Sequence, residues 1–440
     1  MMKQKKRQVI CIEYPQSLIK SSTVISGANI ISQYILKQWL VQTEYQCIFV
    51  TDASDVECQE MQAKLVKNNH VFCNYQRLID VINHFQWIPD VAFITDLNAE
   101  RMMQFRNLNH FSFPVIGLIH SLGTPSALKQ CREIMALNRS NDGLICPSEA
   151  TQKTLVKYGY PKRQTTVIPF ACDFNKFKPS KDRQSLRRQY GLPSEKVVCL
   201  IYGRITASFK MDITPVLRLM EQNRKKWSSL LLYIVGVSVD DEYIRELSKL
   251  IKQWEIDAHV KWCLEPKQDQ VETYFQCSDI FLSLSDSAGE TFGLTVMEAM
   301  ASELPVVISD FSGYRQHIQS NDEGCLIPTF GGNISYEKSF YYHDLKDFGD
   351  KYAQSIAVDN KRLELTLTQL IEDKHKRTKM GSLARKAVQK RNQPKAITAQ
   401  IQQFFNQCIQ TPSQPQELTV TRQTIAELLS HFTTRALQQE

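Results

Sequence analysis

Short apolar segments alternate with longer amphipathic segments along almost the whole chain. The apolar segments are rich in β-branched residues, whereas amphipathic segments such as Ile30–Leu40 and Ala127–Leu137 have the spacing of helices. This alternation predicts parallel sheets joined by crossover helices. The strand-like segments are Gln8–Ile12, Cys47–Thr51, Val91–Thr95, Val115–His120, Gly143–Cys146 and Thr166–Pro169 in the first half, and Val197–Tyr202, Leu230–Val235, Val260–Cys263, Ile280–Leu284 and Val306–Ser309 in the second.

A polar, turn-rich stretch at residues 178–195 divides these segments into two series. We therefore predict an α/β protein with two Rossmann-like domains, residues 1–180 and residues 181–400, whose parallel sheets face a central cleft. Ligands of open parallel sheets bind at the carboxyl ends of the strands. The cleft is the expected position of the site.

Two further segments stand apart from these domains. Residues 329–350 are irregular and aromatic-rich, particularly at Phe340–His343, and are predicted to be an inserted loop. Residues 401–440 are predicted to be a C-terminal helical segment that packs back on the body. One apolar helical face after Thr411 is formed by Ile425, Leu428, Leu429, Phe432, Ala436 and Leu437.

Composition narrows the class of protein. A chain of 440 residues with 42% hydrophobic and 22% charged residues is typical of a soluble protein of two domains. The apolar run after the basic N-terminus, Val9–Ile12, is too short for a signal sequence or a membrane span. We expect a cytoplasmic protein.

Charge is uneven along the chain. Residues 1–190 hold 24 basic and 15 acidic side chains, whereas the remainder is nearly balanced. A basic first half favours anionic partners, including an anionic acceptor or peripheral contact with an anionic membrane surface at its cytoplasmic face. No nucleic-acid partner is expected, because no basic helix or aromatic-basic alternation is present.

The 12 cysteines show no two-residue spacing of the kind found in zinc or redox motifs. Several lie inside strand-like segments, as Cys11 and Cys146 do, and are interpreted as small buried hydrophobes in a reducing compartment. No metal site and no cofactor are predicted.

The most informative motif is Glu290-Thr-Phe-Gly-Leu-Thr-Val-Met-Glu298. The first carboxylate is predicted to lie in a loop and the second within a helix that leads to the strand Val306–Ser309. The start of a helix offers unpaired N–H groups and a partial positive charge to an anion. Carboxylates accept hydrogen bonds from hydroxyls, so the pattern predicts a site for a sugar that carries a phosphate.

This motif, with the Pro305-Val-Val-Ile-Ser-Asp310 that follows it, resembles the signature of the retaining glycosyltransferases of family 4, which have the GT-B fold. The resemblance implies that Glu290 contacts the donor sugar, together with the backbone of Thr291, Phe292, Gly293 and Leu294, and that Glu298 contacts the nucleotide ribose. Glu303 departs from the pattern, since a small residue, usually glycine, stands there in the family.

Three more positions resemble the family in the expected order. Arg204 and Lys210 follow a strand-end glycine and match the pair that binds the donor diphosphate, where two cations replace a metal. His120, at the end of a strand-like segment, matches the histidine that contacts the donor sugar. Gly27 partly matches a glycine-rich acceptor and phosphate loop; a simple turn before the first helix is an equal alternative.

The resemblance implies a metal-independent retaining glycosyltransferase with His120 and Glu290 as catalytic residues. It also implies an acceptor-side first domain and a second domain that binds a nucleotide-diphosphate sugar. The acceptor stays open among glycan, lipid and other molecules. Two alternatives remain at this point: a non-catalytic scaffold with the same fold, and a phosphorylase that uses inorganic phosphate.

Overall fold

The computed structural model describes residues 8–15, 18, 27–40, 44–65, 70–123, 125–207, 210–331, 352–416, 418 and 431–434. Within these residues the chain forms two parallel sheets, each covered by helices. The two sheets are consecutive in sequence, and the predicted boundary between residues 180 and 181 lies between their strands. The second predicted boundary, after residue 400, lies inside a helix.

The first sheet has seven parallel strands in the order β3-β2-β1-β4-β5-β6-β7. Its strands are β1 (Gln8–Glu13), β2 (Tyr45–Thr51), β3 (Val71–Asn74), β4 (Val91–Ile94), β5 (Val115–Leu118), β6 (Gly143–Cys146) and β7 (Thr165–Val167). The crossover helices are α1 (Gly27–Leu40), α2 (Asp55–Leu65), α3 (Leu78–Phe85), α4 (Glu100–Leu108), α5 (Pro125–Leu137) and α6 (Glu149–Tyr158).

The second sheet has six parallel strands in the order β10-β9-β8-β11-β12-β13. They are β8 (Val197–Tyr202), β9 (Leu230–Val235), β10 (Val260–Cys263), β11 (Ile280–Ser283), β12 (Val306–Ser309) and β13 (Cys325–Ile327), with β14 (Thr329–Gly331) and β15 (Ile356–Val358) as an antiparallel pair beside them. The helices are α7 (Arg183–Gln189), α8 (Thr214–Gln222), α9 (Asp241–Gln253), α10 (Val271–Gln276), α11 (Leu294–Ala301), α12 (Asn360–Glu372), α13 (Lys374–Arg391) and α14 (Pro394–Gln410).

Burial explains why these segments are strands. Every residue of β4, β5, β6, β9, β11 and β12 is buried, as expected when helices cover both faces of a parallel sheet. The last helix, α14, returns to the first domain, where the Phe405 ring stacks on Trp39 at 5.6 Å and meets Phe93 at 5.3 Å. The second domain is therefore anchored to the first by the chain's own C-terminal helix.

The structure confirms the predicted α/β class and both parallel sheets. It adds the strands β3 and β13, which the sequence patterns did not predict, and corrects three further places. The strand predicted to end at His120 ends at Leu118, because only one more ladder bond, from the Ile119 N–H to the Ile145 carbonyl, follows before the chain turns to the cleft. The predicted insertion begins with β14, and its residues 332–350 lie outside the described residues.

The third correction concerns the apolar helix predicted near the C-terminus. Residues 431–434 form a turn and a bend instead of a helix, yet Phe432 is buried, with 1% of its surface exposed. Ile425, Leu428, Leu429, Ala436 and Leu437 lie outside the described residues.

All twelve cysteines are free, and ten of them are buried. Burial raises the pKa of Cys47 and Cys73 to about 12, so both thiols stay protonated at neutral pH. The cysteines thus fill the core as small hydrophobes, as their positions in apolar segments indicate. None of the described helices is long and apolar enough to cross a membrane.

Candidate functional site

The start of helix α11 lies at the carboxyl end of β11, facing the first domain. Gly293 precedes the helix with a φ of 94°, a left-handed conformation that a side chain would strain. A Cβ atom there would also lie 2.5 Å from the Tyr314 ring. Because the first N–H groups of a helix have no intrahelical acceptor, this end of α11 presents donors to an anion.

Lys210 and Glu290 form a buried ion pair beside this helix start. The Lys210 Nζ lies 2.8 Å from the Glu290 carboxylate, and their side chains are only 15% and 17% exposed. Lys210 also donates to the Tyr314 hydroxyl at 3.3 Å, and that hydroxyl lies 2.8 Å from the Ser283 Oγ. Burial lowers the pKa of Lys210, but the attraction of Glu290 and Tyr314 outweighs it and leaves the pKa raised.

Glu298 lies within α11, beyond its first turn, and 9% of its surface is exposed. Burial raises the pKa of its carboxyl to about 8, with Lys176 and Lys210 acting in the opposite direction. Its carboxyl group accepts no hydrogen bond from any described residue. The Glu298 carboxyl therefore has no hydrogen-bond partner among the described residues and can exchange hydrogen bonds with a ligand hydroxyl.

His120 faces this site from the first domain. Its Nε2 lies 2.7 Å from the Thr95 carbonyl oxygen and its ring stacks on Phe170 at 5.7 Å. Burial lowers the pKa of His120, which favours the neutral imidazole, while Thr95 and Asp96 act against this shift. The Thr291 hydroxyl donates to the His120 carbonyl, which links the Glu290 loop directly to the histidine segment.

The two domains touch closely around these residues. A Cβ atom on Gly123 would lie 1.8 Å from the Ala288 carbonyl oxygen, so only glycine allows this approach. Gly27, the first residue of α1, lies opposite Leu294, whose Cδ1 would be 3.1 Å from a Cβ at that position. The cleft is narrow beside the predicted site.

The structure brings most of the predicted site residues together, with two qualifications. Arg204 is exposed and forms no hydrogen bond or ion pair with a described residue, unlike Lys210. The Phe292 side chain is buried between Phe170 and His317, at ring distances of 4.9 and 4.6 Å. Only the backbone of Phe292 can therefore face a ligand.

Sequence reasoning missed Tyr314 and Ser283, which complete the Lys210–Glu290 cluster. Tyr314 lies in a 3-10 helix, Ser312–His317, directly after β12, and Ser283 is the last residue of β11. Both lie at the carboxyl ends of neighbouring strands, where active sites of parallel sheets form. That position is the signal that could have identified them.

Residues 431–434, here called the C-terminal strap, join the 3-10 helix to the first domain. The Phe432 carbonyl accepts hydrogen bonds from the Ser312 N–H and from Arg315, both at 2.9 Å. Its ring meets Phe311 edge-on at 5.4 Å. On the other side, the His431 Nε2 lies 2.8 Å from the Ala150 carbonyl of α6. The strap therefore supports the segment that carries Tyr314.

The described residues hold no group of three histidine, cysteine or carboxylate side chains that could bind a metal ion. Lys210 lies near the start of α11, and Lys176, which lies 3.7 Å from Glu272, acts on the pKa of Glu298.

Comparison with known proteins identifies this region. Residues 182–333 match the family model of glycosyl transferases group 1. The second domain is therefore similar to the glycosyl transferases group 1. The resemblance found in the Glu290–Glu298 motif and at Lys210 is thereby confirmed at the level of the family, since both lie within the matched segment.

Curated relatives of this domain are glycosyltransferases. The chain is 30% identical over 170 residues to alpha-monoglucosyldiacylglycerol synthase of Streptococcus pneumoniae, which covers 38% of this chain and 37% of that protein. It is 29% identical over 211 residues to D-inositol 3-phosphate glycosyltransferase of Thermobifida fusca, covering 46% and 48%. The chain thus spans less than half the length of these relatives.

Solved structures share the fold over both domains. Anabaena HepE in complex with UDP superposes with a TM-score of 0.66 at 16% identity, over 91% of this chain and 100% of that chain. Sucrose-phosphate synthase of Thermosynechococcus elongatus gives 0.62 at 17% identity, over 91% and 99%. The predicted GT-B fold is confirmed.

Proposed function

We propose that this protein is a retaining, metal-independent glycosyltransferase that moves a sugar from a nucleotide-diphosphate sugar to an acceptor. The observation that carries the proposal is the Lys210–Glu290–Tyr314 cluster at the start of α11. It puts a buried cation, free helix N–H groups and a carboxylate within one small volume. The cation and the helix N–H groups can bind a diphosphate, and the carboxylate can accept a hydrogen bond from a sugar hydroxyl.

Each residue has a part in this proposal. Lys210 binds the diphosphate, joined by Arg204, whose exposed side chain is free to move onto the nucleotide. Glu290 leaves Lys210 to accept hydrogen bonds from the donor sugar, and the backbone of residues 291–294 positions that sugar. Glu298 bonds to the ribose.

His120 contacts the sugar from the first domain, close to the reacting carbon. Burial lowers the pKa of His120 and so favours the neutral imidazole, which can hold a hydroxyl by a hydrogen bond without repelling positive charge that develops on the sugar ring. Domain contact at Gly123 and Ala288 limits the access of water, so that hydrolysis of the donor is slow. The acceptor attacks on the face from which the nucleotide departs.

The donor follows from the comparisons as a proposal. HepE was crystallised with UDP and with UDP-glucose, and the same fold serves sucrose-phosphate synthase. UDP-sugars are therefore the first donors to test, and UDP is the first nucleotide. The names of the relatives above suggest acceptors as different as a diacylglycerol lipid and an inositol phosphate.

The test is nucleotide release from a panel of UDP-, GDP- and ADP-sugars, with and without EDTA. We expect one donor class to release nucleotide slowly to water, at a rate that EDTA leaves unchanged and that Lys210→Ala reduces at least about 10-fold, the cost of one charge-assisted hydrogen bond. Proton NMR of the sugar product should give the α anomer from an α donor.

Three results would contradict the proposal. Loss of activity on EDTA treatment would show that the enzyme needs a metal ion. A product with the inverted anomeric configuration would show that the enzyme is not retaining. Release of sugar phosphate with inorganic phosphate alone would show a phosphorylase. If no nucleotide were released or bound, the chain would be a scaffold with a glycosyltransferase fold.

A further inference from the structure

A tyrosine hydroxyl lies between the two charged groups of the candidate donor site. The Tyr314 hydroxyl lies 3.3 Å from the Lys210 Nζ and 3.4 Å from the Glu290 carboxylate. It also lies 2.8 Å from the Ser283 Oγ. An ammonium group only donates and an ionised carboxylate only accepts, so Lys210 donates to Tyr314 and Tyr314 donates to Glu290. The Ser283 hydroxyl is then the donor to Tyr314, because a phenol has one O–H group.

The position of Tyr314 is fixed by packing. Its side chain is fully buried, and a Cβ atom at Gly293 would lie 2.5 Å from its ring, so the ring rests on the residue that precedes α11. The Tyr314 N–H donates to the Phe311 carbonyl at 3.1 Å. Since buried rings are closely packed and the hydroxyl is bonded to a residue of β11, the hydroxyl has a defined place in the site.

Glu290 is held by fewer contacts than Tyr314. It lies between β11 and α11, and its side chain is 17% exposed. Among the described residues, its carboxylate accepts hydrogen bonds from Lys210 at 2.8 Å and from Tyr314 at 3.4 Å and from no other side chain. The partners of the Lys210 ammonium are therefore a packed tyrosine and a carboxylate on a loop.

The rest of the Lys210 side chain does not fix its ammonium group. Its Cε would lie 3.2 Å from a Cβ atom at Gly203, which follows β8. Ordering a lysine side chain costs up to about 2 kcal/mol of conformational entropy. Hydrogen-bond partners must therefore hold the ammonium in one place.

The Tyr314 hydroxyl acts in this site as a protonated group. Burial raises the pKa of Tyr314 to about 12, and Glu290 acts in the same direction whereas Lys210 opposes it. The hydroxyl keeps its proton at neutral pH, so it contributes through hydrogen bonds.

We propose that Tyr314 is a positioning residue for Lys210, and that Ser283 directs its hydroxyl. When a nucleotide diphosphate takes the place of Glu290, Tyr314 stays bonded to the Lys210 ammonium and holds it beside the start of α11. This assignment rests on the proposed function, in which Glu290 leaves Lys210 for the donor sugar. It gives the two partners of Lys210 different parts, because the diphosphate replaces Glu290 and does not replace Tyr314.

The first test is the affinity for UDP of variants that each lose one hydroxyl. Tyr314→Phe should bind UDP about 3- to 10-fold more weakly, the loss of one hydrogen bond that holds the ammonium. Ser283→Ala should weaken binding by less than this, about 2- to 3-fold, since Tyr314 keeps its bond to Lys210. Tyr160→Phe is the matched control: it removes a buried hydroxyl that bonds to Asn138 at 2.9 Å in the first domain and should leave UDP affinity unchanged.

The second test repeats Tyr314→Phe in two other variants and shows which residue it acts through. In Lys210→Met, which keeps most of the side-chain stem and removes the charge, Tyr314→Phe should change UDP affinity by less than about 2-fold. In Glu290→Gln, which keeps Lys210, the full loss should remain. A tyrosine with a merely structural role would cause the same loss in every variant, because effects of independent sites add. Titrations followed by proton NMR of UDP can measure the weak affinities of the Lys210→Met variants.

Three results would overturn this assignment. They are unchanged or tighter UDP binding in both Tyr314→Phe and Ser283→Ala, an equal loss in the Lys210→Met variant, and a loss that disappears with Glu290→Gln. The last result would mean that Tyr314 acts through the carboxylate instead of the ammonium. If Tyr314→Phe fails to fold, Ser283→Ala decides in the same two variants.

Nucleotide binding by the wild-type protein separates the two proposals. The probe is UDP, or GDP or ADP if the protein binds only that nucleotide. A protein whose nucleotide affinity depends on Lys210 but not on Tyr314 refutes only the positioning role. A protein that binds none of the three nucleotides refutes the proposed function.

Discussion

Replacing Glu290 by glutamine should tighten the binding of free UDP while it abolishes sugar transfer. The Lys210 Nζ forms an ion pair with the Glu290 carboxylate at 2.8 Å. A diphosphate that binds the Lys210 ammonium group must therefore displace this carboxylate. Glutamine keeps a carbonyl oxygen near Lys210 but removes the negative charge. The nucleotide then meets a free cation, whereas the donor sugar loses its charged acceptor.

The size of the effect follows from Coulomb's law. A phosphate in contact with Lys210 would lie about 6 Å from the Glu290 carboxylate, where two unit charges repel by about 3 kcal/mol at an effective dielectric constant of 20 and by about 0.7 kcal/mol in bulk water. The partial exposure of both side chains puts the value between these limits. A gain of about 1.4 kcal/mol corresponds to 10-fold tighter binding.

Isothermal titration with UDP gives this affinity, and nucleotide release from the preferred donor gives the rate. We expect Glu290→Gln to bind UDP about 10-fold more tightly and to lose at least about 100-fold in turnover, since charged hydrogen bonds to the sugar in the transition state are each worth up to about 3 kcal/mol. Lys210→Ala is the matched control and should weaken UDP binding. Weaker UDP binding by Glu290→Gln would refute the competition between carboxylate and diphosphate.

Three further predictions concern stability. Because burial raises the pKa of Glu298 from about 4.5 to about 8, the wild-type protein loses folding stability as the pH rises through this window. Urea unfolding should therefore show Glu298→Gln gaining stability over wild type as the pH rises, and equal pH profiles would contradict the burial effect. Glu303→Gly should stabilise the fold by about 0.5–1 kcal/mol in thermal unfolding, because Glu303 has a φ of 62° and the relief of this backbone strain exceeds the entropic cost of a glycine. A loss of stability would mean that the contact of Glu303 with Arg385 at 3.9 Å contributes more than the strain costs. Phe432→Ala should cost about 3 kcal/mol and weaken UDP binding, because the C-terminal strap supports Tyr314; unchanged UDP affinity would separate the strap from the donor site.

The fold was predictable because parallel strands buried on both faces are short apolar segments that stand out from amphipathic helices. Strand ends were less predictable. His120 continues an apolar segment, and nothing local indicates that pairing stops at Leu118. The turn there depends on Gly123 fitting against Ala288 of the other domain, a contact far away in sequence.

The motif predicted where part of the candidate site lies in the fold, because Glu290 and Glu298 take the loop and helix positions that the motif indicates. The contact between Lys210 and Glu290, 80 residues apart, was not predicted, since the resemblance assigns them to different parts of the donor. Tyr314 was missed because its place beside Lys210 depends on β12 pairing with β11, which sequence spacing does not state.

Glu303 shows how a departure from a family pattern has a structural reason. The family places a small residue at that position, usually glycine, and here the backbone has the left-handed conformation that glycine adopts without strain. The turn is thus kept although the residue differs.

The central claim is that the start of α11 and Lys210 bind the diphosphate of a nucleotide sugar. A crystal structure of the protein with UDP tests it most directly. We predict the diphosphate within hydrogen-bonding distance of the Lys210 Nζ and of the first N–H groups of α11, with the ribose on Glu298 and the Lys210–Glu290 pair separated. A nucleotide bound elsewhere, or bound here with that ion pair still intact at 2.8 Å, would contradict the claim.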